Sequence, residues 1–577
     1  MSSLSSTPAA VLRFGAFELN RDTGELRHEG VEIRLPPQPA RVLALLAGRA
    51  GQLVTRDEIH REIWGDRTFV DFERGLNFCL NRIRAALGDD PRAPRFIETL
   101  PRRGYRFIAP VEPVRPAPPT LAVLPFENLS HDPEQDYFAD SIADALTTEL
   151  GNVSTLRVIS RHSVVYLHNI RQTLPEIAHQ LKADLIVEGS VLHAAGRVRI
   201  TAQLIAPDPE RHLWARAYEC ALGDILTTQG QVARAIAEAI EVVLTPAEAG
   251  RLSRLRVVDP DAHLFYLKGR HYMGRWSRES FRKGLECLQL SLAKDPTHAL
   301  ACAQLANCFA LLGFWGHMTG VEAYPKARHF ALQAIALDDS LSAAHSALAW
   351  ASWVYDWDLA TCERETLRAI QLNPSDENAH VLYAVFLATT RGDRAGATRE
   401  TRLALHLDPL SPSVNTSAAW IYLFAGDDEC AIEQAHKSLE LFPDAMHAYY
   451  VLGCAAVRGA RYGEAIDALE RAAAISRDAF SLAYLGHAHA LAGHRETALG
   501  LLTELLDRAQ REYAPPRSLV VLYAGLGDLD HAFEWLERNY EIRDAGVFFL
   551  PVMPLFAPLR SDARYAGFLR RLGLPPA

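Results

Sequence analysis

Five glycines recur at a fixed step through the second half of this chain: Gly392, Gly426, Gly459, Gly493 and Gly527, spaced 34, 33, 34 and 34 residues. Five alanines keep the same step, Ala397, Ala431, Ala465, Ala498 and Ala532. Pro374, Pro409 and Pro443 close successive units after the pairs LN, LD and LF. The chemistry of each position fits two antiparallel helices. Glycine permits the tight turn between them, alanine lets their backbones approach, and proline cannot continue the second helix. Such units bury their apolar faces against one another, so the region is expected to grow as a stack and not to close around one core.

The period and its residues resemble the tetratricopeptide repeat. About eight units fit across 261–543, the earlier ones less regular. The resemblance implies an all-α solenoid with a concave groove suited to a peptide or a partner helix. The rest of the 577 residues divides by composition. Five of the ten residues 110–119 are proline, a stiff and extended stretch. The reading is multidomain: a disordered amino terminus at 1–10, a compact domain at 11–110, a Pro-rich linker at 111–119, an α/β region at 120–245, the repeats at 260–543 and a capping segment at 544–577. No run approaches 18 apolar residues and the first twenty lack a secretory pattern, so no membrane association and a cytoplasmic location are expected. Eight cysteines without a C-x-x-C pair fit buried thiols, as at Cys302 and Cys308, and not a disulfide scaffold.

The formal charge of −10 conceals an asymmetry. Residues 1–110 carry 17 Arg, no Lys and 14 acidic residues, a local charge of +3. A phosphate backbone would feel that local charge and not the average. LRFGAFELN, GELRHEG and VEIRL read as short strands, with turns at Asp22-Thr23-Gly24 and Glu29-Gly30. A helix follows from PPQPARVLALLAG, with Val42, Leu43, Leu45 and Leu46 inward. A second begins at the capping box Thr55-x-x-Glu58 and turns Ile59, Ile63 and Trp64 inward. A third spans 72–87. At 100° per residue it places Leu76, Leu80, Ile83 and Leu87 on one stripe. Its other face carries Arg74, Phe78, Asn81, Arg82 and Ala85, flanked by Asn77 and Arg84. Arginine and asparagine can pair in bidentate fashion with guanine and adenine edges, and an exposed phenylalanine can meet a thymine methyl. RFIETLPRRGYRFIAP then forms a hairpin whose tip holds Arg102 and Arg103, a costly pairing unless an anion lies opposite.

LNRIRAALGDD (80–90) and IETLPRRGYRF (97–107), together with the helix–turn–helix pattern, resemble the OmpR/PhoB-type winged-helix DNA-binding domain. The resemblance implies an α+β winged helix-turn-helix, with helix 72–87 in the major groove of double-stranded DNA and Arg102 and Arg103 on its backbone or minor groove. The DNA-contacting set is then Arg74, Asn77, Phe78, Asn81, Arg82, Arg84, Arg102 and Arg103. Where the family commonly has Val-Asp-Val-His, this chain has Leu76-Asn77-Phe78-Cys79, so base preference does not carry over. Where its wing usually has glycine, this chain has Arg102 or Arg103. The domain starts near residue 11, which is expected to leave no room for a phosphoryl-accepting receiver before it.

LPFENLS, DPEQDYFAD and the EGSV…VRITAQLI…HLWA series resemble the TolB-like domain found ahead of tetratricopeptide repeats in many bacterial regulators. The segment from Asp132 is read as a helix with Asp132 at its N-cap and Pro133 at its first position. Asp132, Glu134, Asp136 and Asp140 are then acids favoured by that helix's dipole, not metal ligands. His487 and His489 lie 200° apart on a helix and cannot converge on one ion. No phosphate loop, H-E-x-x-H, G-x-S-x-G or G-x-G-x-x-G occurs, so no catalytic residue, metal or cofactor is expected. Relatives of the middle and repeat regions occur behind nucleotide cyclase domains, but no such domain is legible here. The expectation is a one-component, sequence-specific transcription regulator involved in signal transduction. Its repeats receive a protein or peptide, and a homodimer could link two half-sites into one strong site. The alternatives are a scaffold whose winged helix binds protein, and a small-ligand sensor in the middle region.

Overall fold

The computed structural model describes residues 11–574 except 22, 29–30, 66–71, 115–117, 131, 133–134, 169–171, 255–256, 274–277, 315 and 512. The expected disorder at 1–10 and the Glu29-Gly30 turn lie outside the described residues. The chain divides into two compact units, Met1–Pro118 and Pro119–Ala577.

In the first unit β1 (Val11–Phe14), β2 (Phe17–Asn20), β3 (Leu26–His28) and β4 (Val31–Ile33) form an antiparallel meander. LRFGAFELN is two strands and not one, because Gly15 takes a left-handed conformation (φ +59°) and reverses the chain. Then come α1 (Pro37–Gly48), β5 (Leu53–Thr55), α2 (Arg56–Ile63), α3 (Phe72–Leu87), β6 (Ile97–Leu100), β7 (Gly104–Phe107) and β8 (Glu112–Val114). The last strand corrects the expected linker at 111–119. Glu112–Val114 pairs with β1 at the edge of the sheet, where a proline removes no interior ladder bond. Phe14, Phe96 and Phe107 meet edge to face under that sheet, over Leu43, Leu46 and Ile83.

The second unit opens with β9 (Thr120–Val123), β10 (Glu127–Asn128), α4 (Asp136–Gly151), β11 (Arg157–Val158), α5 (Arg161–His168) and α6 (Leu174–Leu181). Next are β12 (Leu185–Ala194), β13 (Arg197–Pro207), β14 (Glu210–Ala221), α7 (Ile225–Ala239) and α8 (Pro246–Leu252). The sheet runs β11-β9-β12-β13-β14, parallel on one side and antiparallel on the other. The expected hairpin at 194–196 is present, turning through left-handed Ala195 and Gly196. Two readings are corrected. Helix α4 starts at Asp136 with Gln135 at its N-cap, because Asp132 is engaged in the preceding loop with Asn128 and Gln135; Pro133 and Glu134 lie outside the described residues. LRVISR is a strand only over Arg157–Val158, after which α5 begins.

From Pro260 to Glu541 the chain forms eight antiparallel helix pairs. Gly392, Gly426, Gly493 and Gly527 adopt left-handed φ at turns; at Gly459 that role passes to Ala460 (φ +55°). Ala397, Ala431, Ala465, Ala498 and Ala532 are all fully buried, as close helix approach requires. The pairs curve until the second meets the eighth: the Val321 amide donates to the Ile542 carbonyl at 3.1 Å. The expected open concave groove is corrected here. Short 3-10 helices Ala545–Phe549 and Pro554–Ser561 enter the ring and bury Val547, Phe548, Leu550, Leu555, Phe556 and Leu559. Phe548 lies 5.2 Å from Trp353, and Phe549 stacks on Phe424 at 5.1 Å. Helix Ala563–Arg571 then packs against the last pair through Tyr540 and Phe568.

Candidate nucleic-acid interface

The helix-turn-helix is assembled locally. Thr55 Oγ1 accepts the Glu58 amide at 3.2 Å while Glu58 Oε2 accepts the Thr55 amide at 2.7 Å, which starts α2 immediately after β5. Arg56 at its first turn ion-pairs with Glu73 on α3 and donates to the Tyr105 hydroxyl at 3.2 Å on β7. Burial pushes the Tyr105 phenol up, so it stays neutral and hydrogen-bonding.

Helix α3 buries Leu76, Cys79, Leu80, Ile83 and Leu87. Its opposite face exposes Arg74, Asn77, Phe78, Asn81, Arg82 and Ala85. Phe78 is 51% exposed, and the Arg82 guanidinium sits 5.5 Å from its ring. One helical turn thus presents an apolar surface and a planar cation side by side. The side chains of Asn77, Asn81 and Arg82 make no hydrogen bond or ion pair among the described residues. Arg84 is placed differently from the rest of the expected set. It is half-buried and donates to the Ile97 carbonyl at 3.1 Å and to Thr99 Oγ1 at 2.8 Å, tying α3 to the hairpin.

The hairpin belongs to a three-stranded sheet, β5-β7-β6. Its tip, Pro101-Arg102-Arg103, is exposed, with Arg102 in a left-handed conformation (φ +62°). Gly104 follows where a Cβ would lie 2.1 Å from the Val54 carbonyl oxygen, so no other residue fits. Sequence reading passed over Asp89. That buried carboxylate accepts the amides of Arg95, Phe96 and Ile97 at 2.6–3.1 Å and sets the start of β6. The acidic pair in LNRIRAALGDD was the signal, but which backbone it caps depends on a segment six to eight residues away.

Elsewhere, His162, Glu377 and Asp408 gather where α5 meets the repeats, with one potential metal-ligating atom from each within 4.8 Å of the others. Asp408 is fully buried; its Oδ1 accepts Ser163 Oγ at 2.5 Å and the Ser163 amide at 3.1 Å, and Oδ2 lies 3.5 Å from His162. The bond to Asp408 raises the His162 pKa, while burial beside Asp408 and Asp376 pushes the Glu377 carboxyl up to about 8. This arrangement clamps α5 to the repeats. His487 and His489 do not converge: His487 is buried on the Val521 carbonyl at 2.8 Å and His489 faces His494 at 3.2 Å. Burial raises the thiols of Cys302 and Cys308 to about 11 and about 12, leaving them protonated. Among the early acids, Asp136 accepts Asn128 and Asp140 pairs with Arg161, both at 2.8 Å.

Residues 30–107 match the family described as transcriptional regulatory protein, C terminal, and residues 447–478 match the tetratricopeptide repeat. The chain is 33% identical over 357 residues to the putative adenylate cyclase 3 of Rhizobium meliloti, covering 61% of this chain and 59% of that protein. It therefore spans less than two thirds of that relative. It is 25% identical over 440 residues to transcriptional regulator HilA of Salmonella typhimurium, covering 72% of this chain and 74% of that one. Among solved structures it is similar to DrrB, an OmpR/PhoB homolog of Thermotoga maritima. The identity is 32% over 17% of this chain and 44% of that chain, with a TM-score of 0.16. The family match at residues 30–107 places a DNA-binding domain of the OmpR/PhoB-type regulator class in the first unit. The helical region carries tetratricopeptide-type repeats. No described helix is long and apolar enough to cross a membrane.

Proposed function

We propose that the chain is a one-component transcription regulator that reads a specific DNA sequence and takes its signal through the second unit. The observation that carries this reading is the exposed face of α3, where Phe78 and Arg82 stand together beside Asn77 and Asn81. A half-exposed phenylalanine gains nothing from water, whereas a thymine methyl would cover it. In this reading Asn77, Asn81 and Arg82 contact base edges, while Arg74, Arg102 and Arg103 contact phosphates and hold the register. Arg84 acts indirectly, by holding the hairpin at its angle to α3. The repeats bind a protein partner, and homodimerisation joins two half-sites.

The chain is proposed to act by binding and not by catalysis. The name of the Rhizobium meliloti relative favours a second reading, formation of cyclic AMP from ATP. Purified chain incubated with ATP and magnesium or manganese is expected to form none; turnover would establish that second reading.

Selection of genomic fragments by the full-length protein tests the first. An enriched motif that blurs at one position with Arg82→Ala, and weakens evenly with Arg102→Ala, is the expected result. Absence of any motif, or indifference to both changes, would leave the winged helix as a protein-binding module.

A further inference from the structure

The chain's own segment fills the interior of the repeat ring incompletely. Between it and the first helices of the pairs lies a cavity of about 110 Å³. Its walls include Trp420, Phe424, Phe480 and Tyr484 from the repeats, and Phe549 and Phe556 from the inserted segment. The rings are ordered against one another: Trp420 stacks on Phe424 at 5.5 Å, Phe424 on Phe549 at 5.1 Å, and Phe480 lies 6.1 Å from Tyr484. Close-packed interiors rarely leave a gap of this size, and this one is only partly enclosed, which leaves a small molecule a way in. One larger side chain would close it, yet Ser417 and Val521 stand at its wall.

Charge at the wall is answered internally. Arg517 lies over the Phe480 ring at 4.6 Å, faces the carboxylate of Asp544 at 3.3 Å and donates to the Phe314 carbonyl at 3.1 Å. Arg517 is therefore already paired with the buried Asp544 and offers no free cation to an anionic ligand. The Tyr450 hydroxyl is engaged with Ser481 and Asp478 at 2.6 and 3.1 Å. Burial lowers the His447 imidazole to about 4, which leaves it neutral. What remains is an uncharged space bounded by aromatic faces and edges. Dry apolar cavities of about 150 Å³ hold benzene.

We infer that this cavity is a binding site for one small, flat, uncharged aromatic molecule of a single ring, no larger than benzene, held by both the ring and the segment inside it. Such a ligand would make offset and edge contacts on several sides at once. Because it touches both parts, it would tighten the inserted segment in the ring. Such a ligand would bind independently of DNA and in the repeats, not in the middle region.

The test uses full-length protein and fluorobenzene, followed by ligand-observed ¹⁹F NMR and titration calorimetry. Saturable one-to-one binding below about 1 mM is expected. Ser417→Phe, which grows into the space, is expected to weaken it at least about tenfold with unchanged circular dichroism. No saturable binding to the unaltered protein, or equal binding to a folded Ser417→Phe, would overturn the inference. Should Ser417→Phe not fold, Met553→Ala decides by enlarging the opposite wall. It is expected to shift preference severalfold from benzene towards indole, and an unchanged preference overturns the inference.

Discussion

Three arginines on the recognition helix and hairpin tip of the first unit stand in different surroundings from the paired arginines of the second. In the second unit they are largely matched from within: Arg458 pairs with Asp428, Arg477 with Glu504, Arg571 with Glu537, and Arg543 stacks 3.5 Å over Trp357. In the first unit Arg82, Arg102 and Arg103 stand exposed on α3 and the hairpin tip without an acidic partner among the described residues. A count of basic residues therefore says little about where an anion can bind. A phosphate competes poorly with a carboxylate already at 3 Å, and meets no such competitor at an arginine left open. The same chain can therefore be acidic overall and still present a basic face.

The largest effect should come from breaking a buried pair in the second unit. Arg517→Ala leaves Asp544 buried without its cation and is expected to cost about 3–5 kcal/mol, read as a lowered denaturation midpoint. A loss under about 1 kcal/mol would put Arg517 in the exposed class. Arg82→Ala, at the other extreme of the comparison, should leave stability within about 0.5 kcal/mol and cost about 1–3 kcal/mol of DNA binding at one base position. Any matching loss of stability would show that Arg82 is structural.

Arg84→Ala sharpens the boundary, since it sits on the recognition helix but is bonded like a repeat arginine. It should destabilise the first unit by about 1–2 kcal/mol and weaken DNA binding without changing its dependence on salt concentration. A salt slope lowered by about one would mean a phosphate contact. Smaller again, Arg102→Gly should stabilise the first unit by about 1 kcal/mol through relief of its left-handed backbone, while weakening binding to all sequences alike. Denaturation and binding measured on the same variant would separate the two.

The shallowest response is to pH. Glu377 and His162 both have raised folded-state pKa values. Stability linked to Glu377 is fully present below its unfolded value, near 4.5, and is lost as pH rises towards about 8. That linked to His162 is present below 6.5 and is lost as pH rises through its higher folded value. The second unit should therefore weaken as pH rises from about 4.5 to about 8, and Glu377→Gln should flatten that slope. A slope of the opposite sign would mean that the clamp is held otherwise.

Much of this was readable along the chain. The stripe Leu76, Leu80, Ile83 and Leu87 is the buried side of α3, and the residues expected opposite it are exposed, because both follow from 100° per residue. The repeat alanines are buried because the same close approach recurs in each unit. Arg84 could not be placed in that way. Whether a flanking side chain reaches DNA or a neighbouring strand depends on where β6 lies, and Asp89 sets that through three amides of a later segment.

The helical period, the turns that permit it, the polar face of α3 and the basic hairpin tip are written locally, since each arises from residues within a few positions of one another. Long-range packing alone sets that Glu112–Val114 joins the first strand, that the second repeat meets the eighth, and that residues 545–561 occupy the groove. Those outcomes pair segments about 100 to 220 residues apart. They depend on summed curvature and on which apolar surface is left uncovered, and no local pattern encodes either.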